Sequence, residues 1–403
     1  MTDRGASGGY RASVTGILAV AMGVSVLPSF CLGVLAGPIL RDLQMSRADL
    51  GLASGAISGV CAISSIWLGH LADRRGGRAT LLLAFGLGGA GFLAMAVAPT
   101  FAILLVAVVL GGLCQGVASP ATNRVVLDAL GAGRRGLLTG LKQSGEMGAI
   151  VLAGAMLPVA AVTLGWRGTV ALVAAIPAIA MLATLVLLPP RADKSAGQVA
   201  QVIRAPLSHD VWWLATYTFF LGLSGGAVST YLPLYAEQAA GVTIVTAGHV
   251  LAFTGLVAIP GRILWGRRAE RASSYPSQFM ILSALAAVGA TLLWAGSAVG
   301  VGFLWVGAVA WGLSQLSFGA VMTLGVMTFA ASDSAGRATG IVIVGFSVGL
   351  MIGPVIFGRL IDLTNGYDAG FGAVVGVLLT ATVLSFAWRR RQALAALPLA
   401  GSG

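Results

Sequence analysis

Hydrophobic and polar positions alternate in this chain on the scale of whole segments: long apolar runs, each closed by a short polar connector. A helix needs about 20 apolar residues to cross roughly 30 Å of hydrocarbon. Runs of that kind fall at 14–36, 48–70, 79–98, 101–124, 137–160, 168–188, 211–235, 244–265, 277–297, 301–329, 338–360 and 371–388. The pattern predicts an all-α membrane protein of twelve transmembrane helices. The longest polar stretch, Pro189 to Asp210, carries Arg191, Asp193, Lys194 and Arg204 and follows the sixth run. It divides the chain into an N-terminal six-helix bundle at 1–188, a cytoplasmic linker at 189–210 and a C-terminal six-helix bundle at 211–403.

Composition agrees on the solvent. Apolar residues make up 57% of the 403 positions and charged ones 9%, against about 25% charged in soluble domains. So few charges cannot cover a water-facing surface of this size, so lipid is the solvent and a soluble enzyme is excluded. The net charge of +11 is a topology signal and no nucleic-acid footprint, because the bases sit in connectors between apolar runs. With both termini cytoplasmic, the inner face holds Arg74, Arg75, Arg78, Arg134, Arg135, Arg191, Lys194, Arg204, Arg267, Arg268, Arg271, Arg337 and Arg389 to Arg391. The outer face then holds only Arg41, Arg47, Arg167 and Arg359. This asymmetry obeys the positive-inside rule and places the protein in the plasma (inner) membrane. Cys31, Cys61 and Cys114 have no paired spacing, and His70, His209 and His249 have no ligand companions, so neither metal nor cofactor is expected. The first apolar run lacks a small-residue cleavage site and is read as a retained span.

The two halves echo each other. Gly69-His70-Leu71-Ala72-Asp73-Arg74-Arg75-Gly76-Gly77-Arg78 follows Trp67, and a weakened copy, Gly266-Arg267-Arg268-Ala269-Glu270-Arg271, follows Trp265. Gly112 and Gln115 match Gly312 and Gln315; Thr139, Gly140 and Gly145 match Thr339, Gly340 and Gly345. Pro38 and Asp42 after the first span resemble Pro233 and Glu237 after the seventh. An even number of spans per half makes this a parallel repeat about an axis along the membrane normal, the plan of secondary transporters with a site near the midplane between halves.

On these residues the chain resembles the major facilitator superfamily, whose signature between spans two and three is Gly-x-Leu-Ala-Asp-Arg-x-Gly-Arg-Arg. The resemblance implies two six-helix bundles related by a pseudo-two-fold axis and transport by alternating access. It also implies that Asp73, supported by Gly69, Arg74, Gly76 and Arg78, gates the inner face, with Gly266, Glu270 and Arg271 as the second-half counterpart. An acid there can cap the positive N-terminus of a neighbouring helix or pair with a nearby Arg; Asp128 is a further acid within reach of these bases. Two positions and one missing signature depart from the family pattern. Gly77 stands where a base is usual, and Gly112 stands where span four carries an Arg linked to proton coupling. The antiporter signature of span five is missing there. A similar stretch, Gly349-Leu350-Met351-Ile352-Gly353-Pro354, is read as a close-packing and bending device of span eleven.

Charges inside spans carry the candidate chemistry, since each costs roughly 2.5–3.5 kcal/mol at mid-membrane. Counting about 1.5 Å per residue from Gly136 sets Lys142 about 9 Å and Glu146 about 15 Å deep. Four residues apart, they share a helical face and can pair. Glu146 is read as a proton carrier or cation ligand, against a structural pair with Lys142 or Arg124. Lys142 either joins it or snorkels to the interface. Arg124, beside Asn123, is an interfacial base or, with Lys142, a basic entrance for an anion. Gln115, Gln315 and Gln143 are expected to line the path, because buried amides need partners. Arg262 is assigned to the inner interface. The function expected is proton-coupled uptake of a small organic anion by a monomer in the bilayer. The alternatives are efflux of drugs or metabolites by proton antiport and a transporter-like sensor.

Overall fold

The computed structural model describes residues 8–129, 135–188, 207–272, 274–330 and 335–395. The helices, in chain order, are α1 Gly8–Val34, α2 Ala36–Leu43, α3 Arg47–Ala96, α4 Phe101–Ala129, α5 Arg135–Val173, α6 Ala175–Leu187, α7 His209–Gln238, α8 Ile244–Glu270, α9 Tyr275–Ala298, α10 Gly302–Ser314, α11 Phe318–Phe329, α12 Ala335–Thr364 and α13 Asp368–Ala395. Among the described residues ten segments are long and apolar enough to cross a membrane, and two of them, 47–96 and 140–187, have double length. A straight helix of 50 residues would run about 75 Å, far beyond a bilayer. Each double segment breaks at one glycine: Gly76 (φ 80°, ψ 165°) and Gly165 (φ 68°, ψ 170°). Only glycine adopts that backbone without steric cost. Cut there, the ten segments become twelve of crossing length. The stretch expected to be a linker lies almost wholly outside the described residues, as does Arg134.

Lipid tails are as apolar as the helices, so association rests on close van der Waals contact through small residues. Gly145 of α5 lies directly on the Ala19 carbonyl of α1, and the Gly145 carbonyl sits 3.0 Å from where a Cβ on Gly23 would be. Gly349 and Gly353 of α12 lie on the Phe219 and Leu223 carbonyls of α7, the packing use expected of that stretch. Aromatic anchors fix the ends. At one end Trp388 stacks on Phe279, with ring centroids 5.8 Å apart, and donates to Asp210 Oδ1 over 2.6 Å, which ties α13 to the start of α7. At the other, Trp166 donates to Asp42 over 3.0 Å, and Arg167 pairs with the same carboxylate.

Helices α1–α6 meet α7–α13 mainly where α3 faces α12 and α5 faces α8, with α1 against α7 between them. Both broad contacts are antiparallel and lie toward the end opposite the Asp73 turn. On α3, Gly51 faces Pro354 and Gly55 faces Met351; Gly358 of α12 faces the Arg47 carbonyl. On α5, Gly154 faces Gly248, and Ile150 faces Gly255 of α8. Toward the arginine-rich end the same faces part. Ile63 and Ile66 of α3 are exposed, as are Ile343 and Val344 of α12. Nothing lies within 4 Å of a Cβ built on Gly69, Gly336 or Gly340. A cleft therefore opens between the two helix sets at the arginine-rich end and closes at the far end.

Candidate functional site

The cleft narrows where α5 and α8 begin to diverge, and three charged side chains gather there. The pairs 154/248 and 150/255 set the register, so stepping one turn along α5 from Ile150 brings Glu146 level with Ile259, one turn of α8 before Arg262. The positive charges acting on Glu146 are those of Arg262 first and Lys142 second. Among the described residues no ion pair within 4 Å engages Glu146. The direct Lys142–Glu146 bridge expected from their four-residue spacing is not formed. Lys142, 2% exposed, turns instead to α4. Its Nζ donates to Thr122 Oγ1 over 3.1 Å and to the Asn123 side-chain oxygen. The Thr122 hydroxyl itself donates to the Ala118 carbonyl over 2.8 Å, which leaves its lone pairs for the ammonium. Two of the three Lys142 donors are thus held.

Arg262, expected at the inner interface because the second charged turn starts only four residues later, finds its partner within the protein. The structure sets it half-buried in the cleft wall, with Nε donating to the Leu316 carbonyl over 3.1 Å. That carbonyl is available because the tenth span is interrupted: α10 ends at Ser314 and α11 starts at Phe318. Non-helical backbone at membrane depth is tolerated only where protein or a water-filled cavity satisfies it. Here Ser317 Oγ donates to the Gly312 carbonyl over 2.8 Å and Arg262 supplies the second donor. The apolar Ile263-Leu264-Trp265 that follows Arg262 was the available signal that it lies inside the span.

The three glutamines divide. Gln315 is buried; its Nε2 donates to the Leu221 carbonyl of α7 over 2.7 Å, so it fastens the broken span to α7. Gln115 is half-buried on α4, and both amides keep a buried oxygen without a partner among the described residues. Gln143 is exposed two turns before Ile150, on the α5 face turned toward α8. It borders the cleft directly.

The charged turn 69–78 is built around Gly76. Thr80 Oγ1 donates to the Gly76 carbonyl over 2.6 Å, and Arg78 donates to the Leu185 carbonyl at the end of α6 over 3.0 Å. Asp73 is exposed and lies 3.9 Å from Arg124, which joins two groups the sequence had kept apart. Arg74 is also engaged, and the Asp128 side chain lies outside the described part. At two of the departures from the family pattern a side chain would not fit this packing. A Cβ on Gly77 would stand 2.8 Å from the Val125 nitrogen of α4, and one on Gly112 would stand 2.8 Å from the Ile57 carbonyl of α3. In the second copy Arg268 donates to Gln278 over 2.8 Å and lies over the Trp265 ring, while Gly266 is in open space, Glu270 is exposed and Arg271 ends α8. That copy braces α8 on α9.

Comparison with known proteins extends the geometry. The sequence model of the Major Facilitator Superfamily matches residues 18–341. The chain is 24% identical over 400 residues to a probable sulfoacetate transporter, SauU, of Cupriavidus necator, covering 91% of this chain and 92% of that one. It is 29% identical over 369 residues to a probable nitrate/nitrite transporter, NarK2, of Mycobacterium tuberculosis, covering 87% and 89%. Among solved structures, a bacterial homolog of the human lysosomal transporter Spinster, in an inward-facing and unoccupied conformation, superposes with a TM-score of 0.78 at 16% identity, covering 95% of this chain and 98% of that one.

Proposed function

The chain belongs to the major facilitator superfamily, and from that premise we propose that it takes up a small organic anion together with protons by alternating access. It is a multi-pass membrane transporter and no enzyme. The reading of cargo and coupling is carried by one observation: an acid and two bases, Glu146, Lys142 and Arg262, lie on facing helices within electrostatic reach of one another where the cleft narrows. Arg262 and Lys142 hold the anion, Arg262 through its planar fork and Lys142 as a point charge anchored on α4. Glu146 exchanges the proton. Two relatives named for sulfoacetate and for nitrate or nitrite support an anionic cargo. The arginine-rich end is cytoplasmic, both termini with it, so the cleft faces inward. The bundles 1–188 and 211–403 rock as units about the α3/α12 and α5/α8 seams.

The test uses purified protein in vesicles with labelled short carboxylates, sulfoacetate and nitrate, with and without an inward proton gradient. For one proton per monoanion, one pH unit supports at most about tenfold accumulation, and accumulation toward that ceiling is expected for at least one anion. The anion reading fails if none of these moves while cells expressing the chain resist cationic drugs.

A further inference from the structure

The far end of the cleft is closed by a polar cluster that no part of the transport reading uses. At its centre Asp362, at the C-terminal end of α12, accepts from the backbone nitrogens of Arg47 over 3.3 Å and Ala48 over 2.8 Å. These are orphan donors of the first turn of α3. The helix already has its own cap, a capping box between Ser46 and Asp49, so Asp362 is a second carboxylate brought from the other bundle onto the same positive terminus. The cluster extends around it. Tyr231 donates to the Arg47 carbonyl over 2.5 Å, and Arg47 and Tyr367 both donate to Gln238 Oε1, over 3.1 and 2.8 Å. Burial pushes the Tyr367 hydroxyl up to about 12, so it remains a donor. Ser54 and Thr230 share a hydrogen bond of 2.7 Å one step further into the seam.

The seam has a mirror-image continuation that is open. The outer pairs 47/358, 51/354 and 55/351 run in antiparallel register. Carried inward along the same faces, that register sets Gly69 opposite Gly336, and both now face open space. Asp362 lies one turn beyond Gly358; Asp73 lies one turn beyond Gly69. Asp73 would therefore reach the first turn of α12 as Asp362 now reaches the first turn of α3. The apolar stripe between them, Ile63 and Ile66 on α3 and Val344 on α12, is exposed and has the spacing to close on itself.

We propose that Asp362 is the outer latch of the transport cycle: it caps α3 while the cleft opens inward, and lets go as Asp73 caps α12 in the opposite state. Each carboxylate stabilises one state through the partner helix's N-terminus, so the pair sets the balance between them. The latch rests on the alternating-access reading above and not on the choice of substrate.

Cysteine accessibility tests it in the full-length protein with Cys31, Cys61 and Cys114 replaced by alanine. Ser54→Cys reports the outer seam and Ile66→Cys the inner one, each probed with a membrane-impermeant maleimide from either side. Asp362→Asn is expected to raise the labelling rate at position 54 on the order of tenfold, the scale of one charge-assisted hydrogen bond, and to lower it at position 66. Asp73→Asn moves both rates the other way, and the double variant returns both toward the parent. Unchanged rates in Asp362→Asn overturn the latch, as does a rise at both positions together, which means a loosened fold. The side from which each reporter is reached checks the orientation separately.

Discussion

Replacing Arg262 with glutamine will raise the half-saturating concentration of the transported anion by roughly 10- to 100-fold, the scale of one lost charge-assisted hydrogen bond. The argument starts from the broken tenth span. The interruption at 315–317 leaves the Leu316 carbonyl without a helical partner, and Arg262 donates to it over 3.1 Å. That bond fixes the guanidinium at the cleft wall, with its remaining donors available to a ligand and to Glu146. Glutamine keeps a donor but loses the charge and the fork. Arg262→Lys separates the two contributions: it keeps the charge but loses the bidentate geometry, so roughly a tenfold loss is expected from the same hydrogen-bond scale. Initial uptake rates of the labelled anion across a concentration series measure both. An unchanged half-saturating concentration in Arg262→Gln removes Arg262 from the site.

How much of this was legible beforehand follows the range of the interactions. Spans, repeat and charged turn are local patterns, and the helices follow them. The break at Gly76 is local too, since the glycine pair lets the chain turn sharply between two apolar runs. The break at 315–317 is not. It contains neither glycine nor proline, and it exists because the Leu316 nitrogen, the Ser317 hydroxyl and Arg262 donate to the freed carbonyls of Trp311, Gly312 and Leu316. Lys142 and Glu146 do share the predicted face, but which partner Lys142 takes is decided by Thr122 and Asn123 on another helix. Arg262 joins the site only through the facing of α5 on α8, a contact set by Gly154, Gly248 and Gly255. Glycines announce close packing in a sequence without naming the partner. Asp362 was unreadable for the same reason: its target is the start of a helix more than 300 residues away.

The substitution Glu146→Gln will abolish proton-driven accumulation while leaving exchange of anion for anion within about threefold of the parent, a change worth less than 1.4 kcal/mol. The charges of the site give the reason. Lys142 and Arg262 contribute two positive charges and ionised Glu146 one negative, so the empty site carries one net positive charge, and binding a monoanion together with a proton on Glu146 leaves that net charge unchanged. Charges at membrane depth interact strongly because little water screens them. Protonating Glu146 gives the two bases wholly to the anion; releasing the proton lets the acid reclaim them as the anion leaves. With glutamine the empty site holds two uncompensated charges and resists closing, whereas the loaded site closes as before. Net uptake needs the empty carrier to return, and exchange does not. Counterflow of labelled against unlabelled anion in vesicles measures exchange, and it also shows that the variant is folded. Accumulation under an inward proton gradient, measured on the same vesicles, reads the coupling. If the variant accumulates anion as the parent does, Glu146 is not the proton carrier, and the acid serves only to hold Arg262 and Lys142 in place.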